Sequence, residues 1–322
     1  MDVSVVVVTR DDPRIVACVR SVLDQRTDFG FDVVVVDGDS RDGSRQALET
    51  QFSGEPRLRV VVDPAPFMKA WNAGARRSNG SIIVRIDSDM VAEPGWLQAL
   101  VDPLRDEPEM GWTAGMVLGP DPAASVTQRY FTARTVAFLK RLDEHDGLER
   151  VPSWNVAYRR TALDDVGWFD GTLASSEDWD LHRRLVSGGY PGRFVAQAAA
   201  RHHHPARLRT LARKEYWYKI GQFQLGLKHG FRTMLPALVL PTTYLGLAAL
   251  LIGGVFWRPL LWAGLGLWGL VAFIHVVSAV RERDPTFILR PLFRLVEAMA
   301  GMTGLFMGLV RYGLPSRPHG HP

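Results

Sequence analysis

Residues 81–89 read Ser81-Ile-Ile-Val-Arg-Ile-Asp-Ser-Asp89. Ile82, Ile83, Val84 and Ile86 form an apolar run that is too short for a helix, rich in β-branched side chains and preceded by Gly80, which reads as a buried strand. The strand runs out into two carboxylates, Asp87 and Asp89, one residue apart. In an open α/β sheet, ligands bind at the carboxyl ends of the strands. Two hard oxygen donors there suit Mg²⁺ or Mn²⁺, held by carboxylates together with the phosphates of a substrate. Taken alone, Asp-x-Asp is more often a solvated turn. Its meaning rests on its surroundings.

Toward the N-terminus, Val3 to Val8 is an apolar run interrupted by Ser4 alone, the pattern of a parallel strand buried on both faces, and it ends at Thr9, Arg10 and Asp11. Ile15, Val16, Val19, Val22 and Leu23 recur at helical spacing after Pro13. A second buried strand, Phe31 to Val36, ends in Asp37-Gly-Asp-Ser-Arg-Asp-Gly-Ser44, with Asp42 or Ser44 placed to cap a helix over 45–52. A strand at Leu58 to Val62 and a helix over Met68 to Ser78 complete the approach to Asp87. This alternation predicts an α/β fold with a mostly parallel sheet and helices on both faces. Its strand ends carry acidic loops along one edge, where a nucleotide would sit.

Composition divides the chain of 322 residues. Residues 1–230 have the makeup of an ordinary soluble α/β protein; 231–314 are largely apolar, and 315–322 read as a disordered tail. The net charge of +4 and a pI near 9.4 raise the question of nucleic acid. The basic residues cluster beside the apolar segments, however, and no nucleic-acid recognition module accompanies them, so no nucleic-acid partner is expected. The single cysteine, Cys18, excludes an intrachain disulfide and a multi-cysteine zinc site. With Asp2 where a secretory leader carries positive charge, the N-terminus is not expected to be a signal peptide.

Several motifs in order resemble a family 2 glycosyltransferase of the GT-A fold: the strand ending at Thr9, Asp37-Gly-Asp-Ser, Asn72-Ala-Gly-Ala, and Asp87-Ser-Asp89. Farther on come Asn155-Val-Ala-Tyr-Arg-Arg, Val166-Gly-Trp-Phe-Asp170 and Ser176-Glu-Asp-Trp-Asp-Leu, together covering roughly residues 1–230. The resemblance implies a nucleotide-diphosphate sugar donor and a divalent cofactor, Mg²⁺ or Mn²⁺. It implies that Thr9 and Asp37 line the nucleotide pocket, that Asp87 faces ribose or metal, and that Asp89 ligates the metal. Asp178 is implied as the base that takes the acceptor's proton, with Glu177 beside it; both carboxylates equally suit the first turn of a helix. Asn155, Trp179 and Arg184 fall in the acceptor region. Lys69 and Arg76 are candidates for phosphate contact, or for a solvated helix face. Among His202, His203 and His204, an imidazole at the metal is expected from His202 or His204, the alternative being a loop histidine with no ligand role. Processive members carry Gln-x-x-Arg-Trp after the Glu-Asp helix. Here the region reads Arg213-Lys-Glu-Tyr-Trp-Tyr-Lys-Ile-Gly221, similar to the Tyr-x-x-Gly ending of a succinoglycan-type, membrane-anchored subgroup, which favours transfer of one sugar.

Leu235 to Trp257 carries no charge and as a helix would extend roughly 34 Å, enough for a ~30 Å hydrocarbon core. Leu260 to Val280 is a second such run, and basic residues flank both. The expectation is a transmembrane hairpin over 235–257 and 260–280, multi-pass in the cytoplasmic membrane with the catalytic domain on the cytoplasmic side. Residues 295–310, with Glu297 and several glycines, read as an interfacial helix in preference to a third crossing. The expected reaction is inverting, metal-dependent transfer of a sugar to a membrane-associated acceptor, such as a polyprenyl-linked saccharide. The alternatives are a polyprenyl-phosphate sugar synthase and an inactive nucleotide-sugar-binding membrane scaffold.

Overall fold

The structure, a computed structural model, describes residues 2–119, 121, 123–144, 150–204, 206–282 and 288–313. In chain order the first elements are β1 (Val3–Thr9), α1 (Ile15–Leu23), β2 (Phe31–Asp37), α2 (Ser44–Gln51), β3 (Leu58–Val62), α3 (Phe67–Arg76), β4 (Ile82–Ile86) and β5 (Met90–Ala92). There follow α4 (Trp96–Asp106), β6 (Trp112–Val117), α5 (Val126–Glu144), β7 (Asn155–Arg159), α6 (Arg160–Val166), α7 (Glu177–Ser187) and β8 (Gly192–His202). The last four are α8 (Leu208–His229), α9 (Leu235–Gly253), α10 (Arg258–Glu282) and α11 (Arg290–Tyr312). The expected tail over 315–322 lies outside the described residues.

Internal contacts divide the chain into two units, one of residues 1–120, 132–172 and 177–204, the other of 121–131, 173–176 and 205–322. Sequence composition set the boundary at 230; by contacts α8 groups with the helices that follow it.

The first unit is built on one eight-stranded sheet in the order β3-β2-β1-β4-β7-β6-β8-β5. β1 is buried along its whole length. Its alternate side chains feed two cores: Val3, Val5 and Val7 pack with Ile15, Val19, Leu97 and Leu100 on one face. Val6 and Val8 pack with Trp71, Leu181 and Leu185 on the other. A strand with helices on both sides is apolar at most positions, hence the long runs, and the polar exception within β1, Ser4, donates to Asp32 Oδ1. Gly74 allows α3 to lie close on the sheet, since a Cβ there would stand 2.4 Å from Val36 Cγ2.

The sheet corrects one expectation. It is mixed: β1–β2, β2–β3, β1–β4 and β6–β8 pair in parallel. β4–β7, β6–β7 and β5–β8 pair antiparallel. A strand's residues record burial; its direction follows from how the chain returns to the sheet, which composition does not encode.

In the second unit, Tyr130, Phe131, Leu211 and Phe293 form one small core and Phe223, Met234 and Leu305 another. α11 packs on α8 through glycines: a Cβ at Gly304 would stand 2.3 Å from the Tyr216 carbonyl and one at Gly308 2.8 Å from Phe223. Among the described residues, α11 is the one helix long and apolar enough to cross a membrane; Ala237–Gly253 and Arg258–Ile274 are shorter apolar stretches. The structure therefore does not single out the hairpin over 235–257 and 260–280 as the crossing element. The charge that argued for an interfacial 295–310, Glu297, is buried and paired with Arg294 at 3.1 Å. The helix also begins earlier than sequence suggested, at Arg290.

Candidate functional site

Thr9 and Asp37 end neighbouring parallel strands and lie in register. Asp37 Oδ2 accepts the Ser40 N–H at 3.0 Å and lies 3.7 Å from the Arg45 guanidinium. Asp37 Oδ1 and Thr9 Oγ1 are buried with no hydrogen-bond partner among the described residues. Buried polar atoms are rarely left so. The loops above them are tied together: Ser40 Oγ accepts the Asp11 N–H and Asp11 Oδ1 accepts the Arg41 N–H. Asp11 and Asp39 both hold a positive φ, the strained backbone that functional turns retain. Asp42 accepts the Ser44 N–H in a turn just before α2, whereas the cap position itself is Gly43 with no side-chain cap, so neither Asp42 nor Ser44 caps the helix as sequence suggested.

Beyond β4, Asp87, Asp89 and His202 each offer a ligand atom, and these atoms lie within 4.8 Å of one another. β5 makes this possible: it pairs antiparallel with β8, setting Met90 opposite His202 and so Asp89 beside the imidazole. Nε2 of His202 is 3.2 Å from Asp89 Oδ1. Two hard carboxylates with an imidazole form a donor set suited to Mn²⁺. His204, the other histidine foreseen, is buried with its ring centroid 4.0 Å from that of His202, and is not one of the three grouped residues. Arg14 flanks the group, its guanidinium held by Asp12 at 2.7 Å and lying 3.7 Å from Asp89 Oδ2.

Asp178 stands in the first turn of α7, after Ser176, whose φ is also positive. Its Oδ1 accepts the Trp179 N–H. Burial, then the Glu177 charge, push its carboxyl up to about 7, against the opposing pull of the Trp179 N–H, Arg85 and the Ser153 N–H. A carboxyl poised there is matched to taking a proton near neutral pH. The Trp179 ring lies 6.0 Å from the Arg150 guanidinium carbon.

Sequence reasoning singled out neither Arg85 nor the buried pair Tyr158 and His182. Arg85 is 4% exposed and donates to Asp87 Oδ1 at 3.1 Å. A signal was available: a lone arginine inside the run Ile-Ile-Val-Arg-Ile is a buried charge, which needs a partner. Tyr158 bonds His182 Nε2 at 2.8 Å, and His182 stacks on Trp112 with centroids 4.1 Å apart. Burial lowers the His182 pKa to about 3, so the ring is neutral.

Other expected site residues have internal partners. Asn155 accepts from Trp96 Nε1 at 2.7 Å and donates to the carbonyls of Met116 and Ala198. It thereby bridges β6 and β8 where their register shifts at Gly115/Met116. Arg184 pairs with buried Asp180 at 2.8 Å and donates to the carbonyls of Val166 and Trp168. With those donors engaged, it fastens α7 to the Val166–Asp170 turn. Asn72 holds the other side of that turn through the Phe169 backbone. Lys69 is exposed, its stem against Gly171, and Arg76 lies over the Trp168 ring at 4.9 Å.

Known proteins share this architecture. Over 212 residues the chain is 27% identical to the pre-mycofactocin glycosyltransferase of Mycobacterium tuberculosis, covering 63% of this chain and 44% of that protein. The chain thus spans less than half the length of that relative. Over 312 residues it is 24% identical to the succinoglycan biosynthesis protein ExoA of Rhizobium meliloti, covering 92% of this chain and 91% of that one. The fold matches the mannosyltransferase PcManGT of Pyrobaculum calidifontis, solved with GDP-Man and Mn²⁺, at a TM-score of 0.61. That match has 17% identity and covers 94% of this chain and 86% of the other. Residues 4–167, just over half of the sequence, match the family described as Glycosyl transferase family 2, and the chain belongs to that family.

Proposed function

We propose that this protein transfers one sugar, with inversion, from a nucleotide-diphosphate sugar to a hydroxyl of a lipid-linked or saccharide acceptor at a membrane. The observation that carries the reading is the convergence of Asp87, Asp89 and His202 at the sheet's carboxyl edge. Supporting it are the unpartnered Thr9 Oγ1 and Asp37 Oδ1, which offer hydrogen bonds to a nucleoside. Asp87, Asp89 and His202 would hold Mg²⁺ or Mn²⁺, which when bound neutralises charge on the departing diphosphate.

The chain's own carboxylates do the rest. Asp178 in its ionised form takes the acceptor hydroxyl's proton while that oxygen attacks the anomeric carbon. The bond from that carbon to the diphosphate oxygen breaks on the opposite face, which inverts the centre. Glu177 beside Asp178 keeps the site negative and so favours the protonated form of its neighbour. Trp179 supplies an aromatic wall for the acceptor. The likeness to a succinoglycan biosynthesis protein along nearly the whole chain supports a saccharide-building role.

Membrane attachment is assigned to the second unit. α11 has the length and composition of a span. Val255, Phe256 and Trp257 expose apolar side chains at the α9–α10 turn, which favours a hairpin dipping into lipid as the finer reading. In this reading the catalytic unit lies on the cytoplasmic face, which the basic residues before α9 support.

The test is consumption of a panel of nucleotide sugars by the full chain, with and without Mn²⁺. Turnover of one donor only with the ion supports the proposal. No turnover of any donor with any divalent ion, while the protein is folded, overturns it in favour of a binding scaffold.

A further inference from the structure

A buried cation of the first unit stands between the acidic groups of its site. Arg85 lies on β4 among apolar neighbours. Its Nε and Nη2 donate to Asp87 Oδ1 at 3.3 and 3.1 Å, and its Nη1 donates to Ser153 Oγ at 2.5 Å. The rings of Phe67 and Phe169 lie 5.2 and 5.5 Å from the guanidinium carbon and shield it from water. Ser153 also faces the other acidic group, since its N–H acts on the Asp178 carboxyl. Arg85 in turn feels the charges of Asp87, Glu177 and Asp178.

This arrangement asks more of Arg85 than filling space. An arginine buried to this degree is stable only where carboxylates offset its desolvation. Its fork holds one oxygen of Asp87 from two nitrogens, which stops that carboxylate from turning and leaves Oδ2 as the oxygen for an ion. The groups that face Asp178 are Glu177 on its own helix, Arg85 from β4, the Ser153 and Trp179 N–H groups and the Tyr158 phenol from β7. Tyr158 is itself kept neutral, its pKa raised by burial. Arg85 is thus a cation acting on the Glu177–Asp178 pair.

We propose that Arg85 is a positioning residue of the transfer reaction: one buried guanidinium fixes Asp87 toward the metal group and, across Ser153, holds the acidic start of α7 in its working state. The inference rests on the transferase reading above. It predicts that the metal end and the base end of the site respond together when this side chain changes.

The experiment compares the full chain with Arg85→Met and Arg85→Lys in three measurements: Mn²⁺ affinity, the pH–rate profile, and melting temperature against pH. For Arg85→Met, Mn²⁺ affinity is expected to fall about 10–100-fold, as when the outer partner of a ligand is lost. The acidic limb of the rate profile is expected to move upward by about one unit or more, because an opposite charge near Asp178 is gone. Melting reports the same group without turnover. Folded Asp178 keeps its proton at pH values where the unfolded chain has lost it, so its contribution to stability declines as pH rises from about 4 to about 7. In Arg85→Met that decline should continue to higher pH. Arg85→Lys keeps the charge and loses the fork, so it should leave the limb in place and weaken Mn²⁺ binding. If Arg85→Met fails to fold, Ser153→Ala serves instead, with smaller changes in the same directions.

Arg85→Met with wild-type Mn²⁺ affinity and an unmoved limb in rate and melting, however unstable, makes Arg85 a packing residue and overturns the inference; an unaffected Ser153→Ala does the same where Arg85→Met is not obtained. Wild-type protein that transfers no sugar sinks the transferase reading separately, because Mn²⁺ affinity and melting still report on Arg85.

Discussion

The two units place polar and apolar groups in opposite ways. In the first, apolar side chains fill both faces of the sheet, and buried polar residues sit among them, Thr9 and Asp37 at strand ends and Arg85 within β4. In the second, many apolar groups outside its two small cores face outward, with Phe256 86% exposed and Val255 80%, while Glu297 is 1% exposed. Burial in the first unit acts as chemistry, raising the Asp178 carboxyl to about 7. In the second, apolar side chains turn outward while Glu297 is buried and paired with the partly exposed Arg294, which offsets the cost of burying its charge. The same residue types therefore mean different things in each unit, and the environment decides which.

The largest expected effect breaks the chemistry of the first unit alone. Asp178→Asn keeps the size of the side chain and cannot accept a proton, so turnover should fall about 10²- to 10⁴-fold while donor binding persists. In the wild type the rate should fall about tenfold per pH unit below about 7, as the base becomes protonated. The stability sign is opposite to that of an ordinary paired carboxylate. The raised pKa makes the folded state less stable as pH climbs from about 4 to about 7, and Asp178→Asn should lack that decline. An active variant that only melts earlier would return Asp178 to the role of a helix-start charge, worth about 0.3–1 kcal/mol.

Asp89→Ala should come next. Removing a ligand should weaken Mn²⁺ binding, measured by titration, by at least the about 10–100-fold typical of losing an outer partner. Little change in melting is expected, since Asp89 lies at a loop and not in the core. Unchanged Mn²⁺ affinity would remove it from the metal group.

Asn155→Ala tests the distinction between a site residue and a fastener. Its amide satisfies the Met116 and Ala198 carbonyls and the Trp96 indole, so losing it should destabilise by about 1–3 kcal/mol for each buried group left unpaired, read by denaturant melts. The folded fraction should keep wild-type affinity for acceptor. A specific rise in acceptor KM with unchanged stability would keep Asn155 in the acceptor region.

The smallest effect on folding should come from Phe256→Ser. A side chain this exposed contributes within about 0.5 kcal/mol to stability in water. Its loss should nonetheless reduce partition to lipid vesicles measurably, since burying a Phe in lipid is worth about 1.5–3 kcal/mol. Unchanged vesicle binding would end the comparison drawn between the units.

The sequence by itself determined the strands that carry the site. Val3–Val8, Phe31–Val36 and Ile82–Ile86 announce burial through local runs, and their acidic ends follow at once in the chain, so the positions of Thr9, Asp37, Asp87 and Asp89 were legible. Only the tertiary structure decided which distant residues join them. His202 reaches Asp89 because β5 and β8 pair antiparallel, and β7 turns the sheet mixed, neither of which leaves a mark in local composition. Asn155 and Arg184 carry polar groups that sequence reads as available, and the fold spends them on carbonyls more than fifteen positions away. For the C-terminal helices, a hydropathy window sees uncharged length and takes Glu297 as a barrier. Folding pairs that charge with Arg294 and runs α11 from Arg290 to Tyr312, which among the described residues makes it the one helix long and apolar enough to cross a membrane; the cost of a charge depends on its partner, and the partner is set in three dimensions.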